Sequence, residues 1–218
     1  MRGSEHVATR RAELLAWAAQ LGAVTADALA AREGQDRPDS ARSRLAAAER
    51  AGLMSAWRLL SGAPALYTLT RRGLRAAGRN ELALSRVSAA GAAHAAACCT
   101  AAVALESAFP GHRAVGEPEI RTGFAELCPP VPSRTGPRTH RPDLLLLAEP
   151  FPAALPTAVE IELTVKAPER LVLICRGWAR TRSVAGVVYM APEAVRRPLE
   201  RAIERADARE RIVILPLP

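Results

Sequence analysis

Apolar residues recur at helical spacing from Arg10 to Leu21, with Leu14, Leu15, Trp17, Ala18 and Leu21 near one face, and Gly22 closes the segment. Thr25 is placed to cap a second, short helix from Ala26 to Ala31, and Gly34 with Pro38 marks the turn before a third. That third helix is predicted from about Pro38 to Ala51, ending at Gly52. It turns Leu45 and Ala48 inward and leaves Ser40, Arg42, Ser43 and Arg44 on its exposed N-terminal half. The pattern then changes. Leu53 to Leu60 and Ala65 to Leu69 read as two strands joined around Ser61-Gly62-Ala63-Pro64, and Thr70 caps a helix carrying Arg71, Arg72, Leu74 and Arg75.

Asn80 to Val87 reads as a linker or continued helix, and Ser88 to Phe109 as an Ala-rich helix stopped by Pro110-Gly111. Residues 113–128 suggest one or two strands, and Pro129 to Thr139 is too rich in Pro, Gly and Ser for regular structure. Pro142-Asp143 opens an apolar strand, Leu144 to Leu147. Pro150, Pro152 and Pro156 mark a loop that folds a second strand, Val159 to Lys166, back beside it. In that second strand, alternation puts Glu160, Glu162, Thr164 and Lys166 on one face and Val159, Ile161, Leu163 and Val165 on the other. A helix from Ala167-Pro168-Glu169 follows, with Leu171, Ile174, Cys175 and Trp178 on its apolar stripe. Val184 to Met190 is then a buried strand, Pro192 and Glu193 open a helix to about Ala208, and Arg211 to Leu215 is a last strand. Strands alternating with helices predict an α/β sheet covered on both faces, in a domain spanning 86–218 after an N-terminal domain of 1–85.

Composition narrows the setting. No run approaches 18 apolar residues, and Met1-Arg2-Gly3-Ser4-Glu5 lacks the apolar stretch of a signal peptide, so a cytoplasmic protein without a membrane segment is expected. Cys98, Cys99, Cys128 and Cys175 have no paired spacing and predict neither a zinc site nor a disulfide framework; His94 and Cys98 read as packed residues. The net charge is +8, and residues 1–88 hold 14 Arg against 8 acids. That charge fits a docking surface for a polyanion or a merely soluble surface; with the helix pattern beneath it, double-stranded DNA is the expected partner, with Ser40, Arg42, Ser43 and Arg44 toward the bases, Arg71 and Arg72 toward phosphates, and Arg58 as a further DNA-binding position. A homodimer is compatible with the sequence but not required by it.

The candidate chemistry lies where the two strands meet. Three carboxylates, Asp143, Glu160 and Glu162, repel one another at one sheet end and become tolerable around a divalent cation. Hard oxygen donors select Mg²⁺ or Mn²⁺, the apparatus of phosphodiester hydrolysis. Lys166 is the only Lys in a chain with 29 Arg. In an extended strand its Cα would lie roughly 13 Å beyond that of Glu162, so it needs a bend to help. Glu106 is a single acid near the end of the preceding helix, a position that is usually surface. Arg134, Arg138, His140 and Arg141 precede Asp143 on a loop that either steers a phosphate backbone or is simply solvated.

Pro142-Asp143, then Glu160-x-Glu162, then a helix, resembles the PD-(D/E)xK nuclease fold, with Glu162 where that pattern usually has Lys. Ala51-Gly52-Leu53-Met54 followed by Leu66-Tyr67-Thr68-Leu69-Thr70-x-x-Gly73 looks like a bacterial winged helix-turn-helix over residues 8–80. The two together resemble the replication-relaxation proteins of bacterial plasmids and actinobacterial mobile elements. The resemblance implies a DNA-processing or DNA-maintenance role, with Asp143, Glu160, Glu162 and Lys166 as catalytic positions and the three acids as metal ligands. Membership would not establish cleavage. A non-catalytic regulator or replication/transfer accessory factor is the second expectation, favoured by Glu162 in the Lys position.

Overall fold

Short polar caps and positive-φ glycines set the element boundaries in the first part of the chain. The structure is a computed structural model that describes residues 2–133 and 135–218, without the side chains of residues 2–7, so Arg134 lies outside the described residues. Two compact units are present, one up to Val103 and one from Ala104.

In the first unit, α1 (Arg2–Leu21) ends at Gly22, whose φ is 90°. The Thr25 hydroxyl accepts from Ala28 N at 3.1 Å to start α2 (Ala26–Arg32), and α3 (Asp39–Arg50) follows. Gly52, at φ 68°, turns the chain into β1 (Met54–Trp57), which pairs antiparallel with β2 (Leu66–Leu69). Both strands are shorter than their apolar runs. Trp57 opposite Leu66 is the last pair, and residues 58–65, with Gly62 at positive φ and Pro64 lacking an N–H, form the connection instead. Val24 exchanges backbone hydrogen bonds with Tyr67 at 3.0 and 2.8 Å on the other side of β2. Thr70 then accepts from Gly73 N at 3.1 Å to cap α4 (Arg71–Ala76), and its hydroxyl donates to Gly52 O at 2.7 Å.

Beyond α4 the chain is irregular to the start of α5 (Ala92–Ala108). Leu82, Cys99 and Val103 pack into the same core as Trp17, Leu45 and Leu69. That packing moves the division between units into α5, past the 85/86 boundary expected from composition.

The second unit holds a five-stranded mixed sheet flanked by helices. β3 (His112–Gly116) is followed by α6 (Glu117–Gly123) and a turn of 3-10 helix at Ala125–Leu127, where strands were expected. Pro118 just inside the helix start and Glu117 and Glu119 in its first turn favour the helix. The Pro-rich segment, expected to be irregular, forms a small antiparallel ladder of β4 (Pro130–Val131) with β5 (Arg138–Thr139). Then come β6 (Leu144–Ala148), β7 (Thr157–Ile161), α7 (Pro168–Arg180), β8 (Gly186–Ala191), α8 (Glu193–Arg205) and β9 (Ile212–Pro216). The sheet order is β3-β6-β7-β8-β9. β6 is antiparallel to both β3 and β7, with Leu144 opposite Val159, and the β7/β8 and β8/β9 pairs are parallel. Leu145, Ala158, Val187 and Tyr189 pack against Cys175 and Trp178 of α7 and Leu199 of α8. The alternate residues Leu144, Leu146, Val159 and Ile161 are buried too, so the central strands are apolar on both faces.

Gly73 is the tightest backbone approach in the first unit: a Cβ there would stand 2.0 Å from Leu53 O. Because a backbone oxygen cannot swing aside, Gly73→Ala is expected to cost at least about 3 kcal/mol in urea unfolding, the upper end of overpacking penalties. Gly123→Ala, which meets no atom within 4 Å, should leave stability nearly unchanged.

Candidate functional site

The antiparallel pairing of β6 and β7 brings the acids together. Asp143 stands one residue before β6; its N–H donates to Val159 O at 3.0 Å and its Oδ2 accepts from Ile161 N at 2.7 Å. The side chain therefore fastens the end of β7 while remaining part-exposed. Glu160, between Val159 and Ile161, is only 2% exposed. Burying a carboxylate demands donors, and Glu160 Oε1 has two: Trp178 Nε1–H of α7 at 2.8 Å and His140 Nε2 at 2.7 Å. The two rings meet edge to face, with centroids 6.0 Å apart.

Glu162 follows the last residue of β7. Its N–H donates to Met190 O at 3.0 Å, which keeps it against the sheet, and its side chain is 4% exposed. The strand expected to run to Lys166 stops at Ile161, and an irregular stretch, extended at Ala167 before Pro168, leads into α7. The chain bends at Thr164, and Lys166 Nζ returns to donate to Glu162 Oε2. The bend that an electrostatic helper requires is therefore present.

Burial pushes the Glu162 carboxyl above its ordinary value; the Lys166 ammonium pulls it back, and the charges of Glu160 and Asp143 push it up further. Burial also drives Tyr189, across the β7/β8 ladder from Glu160, well above its usual range, with Glu160 adding to the effect. The buried Tyr189 hydroxyl lies beside the Cys175 thiol, whose hydrogen bond adds to the rise. The Cys175 thiol is pushed up to about 12, and Cys128 to about 11, in both cases mainly by burial. Neither cysteine has the lowered pKa of a nucleophile.

The charges of Asp143 and Glu160 thus both reach Glu162. Among the described residues, the three acids do not bring one oxygen each within 4.8 Å of the other two. Glu106 is held elsewhere, its Oε1 accepting from Ala114 N at 3.0 Å on β3. In the loop before Asp143, Arg138 donates to Thr135 at 3.2 Å, and the Arg141 charge reaches Cys128.

On the first unit, Ser40, Arg42 and Ser43 are exposed on α3 as expected. Arg42 Nη1 sits 2.8 Å from Asp39 and its Nη2 3.8 Å from Asp27. Arg44 is drawn back onto Glu33, with its side chain 23% exposed. Arg58 faces Glu49 at 3.5 Å, Arg71 donates to Leu82 O at 3.0 Å, and Arg72 is exposed on α4. Exposed ion pairs of this kind contribute little stability and do not prevent a phosphate from taking over the guanidinium.

Neither a family model nor a curated protein nor a solved structure matches the chain. No helix among the described residues is long and apolar enough to cross a membrane.

The donor pair on Glu160 was not anticipated, because Trp178 reads as one member of an apolar stripe. The available signal was that indole carries an N–H that a buried site must use. Trp178→Phe should lower stability by about 1.5–3 kcal/mol in denaturant titration, as expected for a lost hydrogen bond to a carboxylate. The Glu162 shift carries its own pH dependence. With the folded-state value raised, the folded protein binds more protons than the unfolded chain, so this group's contribution weakens as pH rises from about 4. Glu162→Gln should therefore gain stability relative to the parent between about pH 4 and pH 7, measured by thermal unfolding across that range.

Proposed function

We propose that the chain is a DNA-binding protein with a metal-dependent, endonuclease-like second unit, acting in DNA processing or mobile-element maintenance. The observation that carries this reading is that the charges of Asp143 and Glu160 act on the buried Glu162 carboxyl at the junction of β6 and β7, with Lys166 folded back onto Glu162. The helix order of the first unit, three helices, a two-stranded antiparallel pair and a fourth helix, supports reading it as a winged helix-turn-helix. The β6–β7–α7 order, with its acids at the strand junction, supports a PD-(D/E)xK-like reading of the second. The resemblance to replication-relaxation proteins rests on the same residues.

The donor set fits Mg²⁺ or Mn²⁺ in its chemistry: hard carboxylate oxygens, part-exposed at Asp143, and a raised Glu162 carboxyl that nearby positive charge would relieve. Among the described residues these acids form no three-oxygen cage, so the ion would be one that keeps several waters and takes one or two carboxylates, Asp143 and Glu160. When bound, it would supply an activated water and offset negative charge at a phosphodiester. The chain's own residues do the rest. Trp178 and His140 hold Glu160 at one oxygen, the Ile161 amide orients Asp143, and Lys166 keeps a positive charge beside Glu162.

The same hydrogen bonds favour a second reading, a non-catalytic regulator or replication/transfer accessory factor. Each of the three acids already has a protein donor, and Glu162 stands where a catalytic Lys is usual in the resembled pattern.

Incubation of supercoiled plasmid with the protein and Mg²⁺ or Mn²⁺ should give nicked or linear product, and Asp143→Ala should abolish it. Intact plasmid under both cations, with duplex binding retained, would decide for the accessory factor. For binding itself, Arg42→Ala should weaken duplex affinity by roughly 1–3 kcal/mol if it grips a guanine, whereas Arg72→Ala should lower the salt slope by about one. Fluorescence anisotropy across a salt series separates the two effects.

A further inference from the structure

The far edge of the sheet in the second unit combines features that the nucleic-acid reading does not use. β9 is the terminal strand and pairs only with β8. Arg211 O accepts from Val187 N at 2.8 Å, which sets the polarity of this parallel ladder: Val213 and Leu215 turn their amides toward β8, Ile212 and Ile214 turn theirs outward, and Arg211 N donates to Ala208 O at 3.0 Å in the turn before the strand. Ile212 N is taken by Ala208 O at 2.9 Å, so the outer edge offers Ile212 O and both backbone groups of Ile214. Sheet edges are normally protected by charged side chains, by proline or by a covering element. Pro216, the last residue of β9, closes this edge at one end, but from Ile212 to Leu215 there is no charge, and Val213 and Leu215 are 54% and 37% exposed.

The two sides of this edge differ. On the α8 side, Ile203, Ile212 and Ile214 floor a groove of about 650 Å³ walled by Arg196, Arg197, Arg201 and Arg209 together with Glu200 and Glu204. Arg196 pairs with Glu200 at 3.0 Å and Arg209 with Glu204 at 2.8 Å. Arg197 and Arg201 have no acidic partner among the described residues, so the groove keeps two uncompensated guanidiniums. On the opposite side the edge presents the exposed Val213 and Leu215.

We propose that β9 accepts an extended peptide of a partner protein as a sixth strand, and that the peptide alternates acidic and apolar residues. Side chains of an added strand alternate between the two sides of the sheet. One set would reach Arg197 and Arg201, and the other would cover Val213 and Leu215. Backbone pairing gives such a complex affinity, and the alternate pockets give it specificity. Self-pairing of β9 in a two-fold dimer is disfavoured, because it would bring two grooves with excess positive charge together. A phosphate backbone would satisfy the guanidiniums but would leave the strand edge and the apolar pair unused.

The test uses the full chain and a fluorescein-labelled peptide of about ten residues alternating Glu and Val, read by anisotropy. It should bind at least about tenfold more tightly than a peptide of the same composition with the Glu and Val in separate blocks. N-methylation of alternate peptide amides should abolish binding. The double variant Arg197→Glu/Arg201→Glu, folded by circular dichroism, should weaken binding by about tenfold or more. The proposal is overturned if the alternating peptide does not bind, if the block or N-methylated peptide binds equally well, or if duplex DNA is the ligand lost in the double variant. It is equally overturned if sedimentation shows dimerisation that shuts the peptide out.

Discussion

A carboxylate cannot be taken out of water without donors, and that constraint on Glu160 organises the second unit. At 2% exposure it is among the few charged residues in the core, and α7 has to lie where the Trp178 indole N–H reaches it. The loop before Asp143 has to pass where His140 does the same. Tight packing reinforces the arrangement: a Cβ on Gly177, one residue before Trp178, would come within 3.1 Å of Val131 and 3.3 Å of Pro129. Glycine at that position therefore lets the small β4–β5 ladder dock on α7. Asp143 closes the group from the other strand by tying its side chain to the Ile161 amide.

Much of this architecture was legible in the sequence, and the reasons are local. The Thr25 and Thr70 caps, the turn at Gly52 and the starts of α3 and α7 follow from residue types with one strong conformational preference. The folding of Val159–Ile161 beside Leu144–Leu147 followed from two apolar runs separated by prolines. What was not legible depends on contacts distant in sequence. Strand lengths were overestimated at both 53–60 and 159–166, since an apolar run does not say where its partner ends. Of the one or two strands expected over 113–128, β3 forms and ends at Gly116, where α6 takes over, and the β4–β5 ladder was not legible because two residue pairs leave almost no periodic signal. The division between the units moved into α5 because Cys99 and Val103 pack into the first core, which composition alone does not reveal.

At the site, residue types were easier to identify than the bonds between them. The pairing of the strands that carry Asp143, Glu160 and Glu162 followed from strand order. The lysine's route back to Glu162 did not, because it depends on a bend between β7 and α7. Nor did the sequence indicate that Glu160 would be held by an indole. On the first unit the exposed face of α3 was read correctly for Ser40, Arg42 and Ser43. Arg44 turns back to Glu33 at the end of α2, a contact eleven residues away that helix periodicity does not contain.

The central claim is that the acids at the β6–β7 junction form a cation site and are more than a buried polar network. Thermal unfolding with and without millimolar Mg²⁺ or Mn²⁺ tests it directly, since an ion that binds only the folded state raises its stability by mass action. The account predicts a rise in melting temperature for the parent chain that is absent in both Asp143→Ala and Glu160→Ala, each compared with its own metal-free value. No rise in the parent, or an equal rise in both variants, would contradict it.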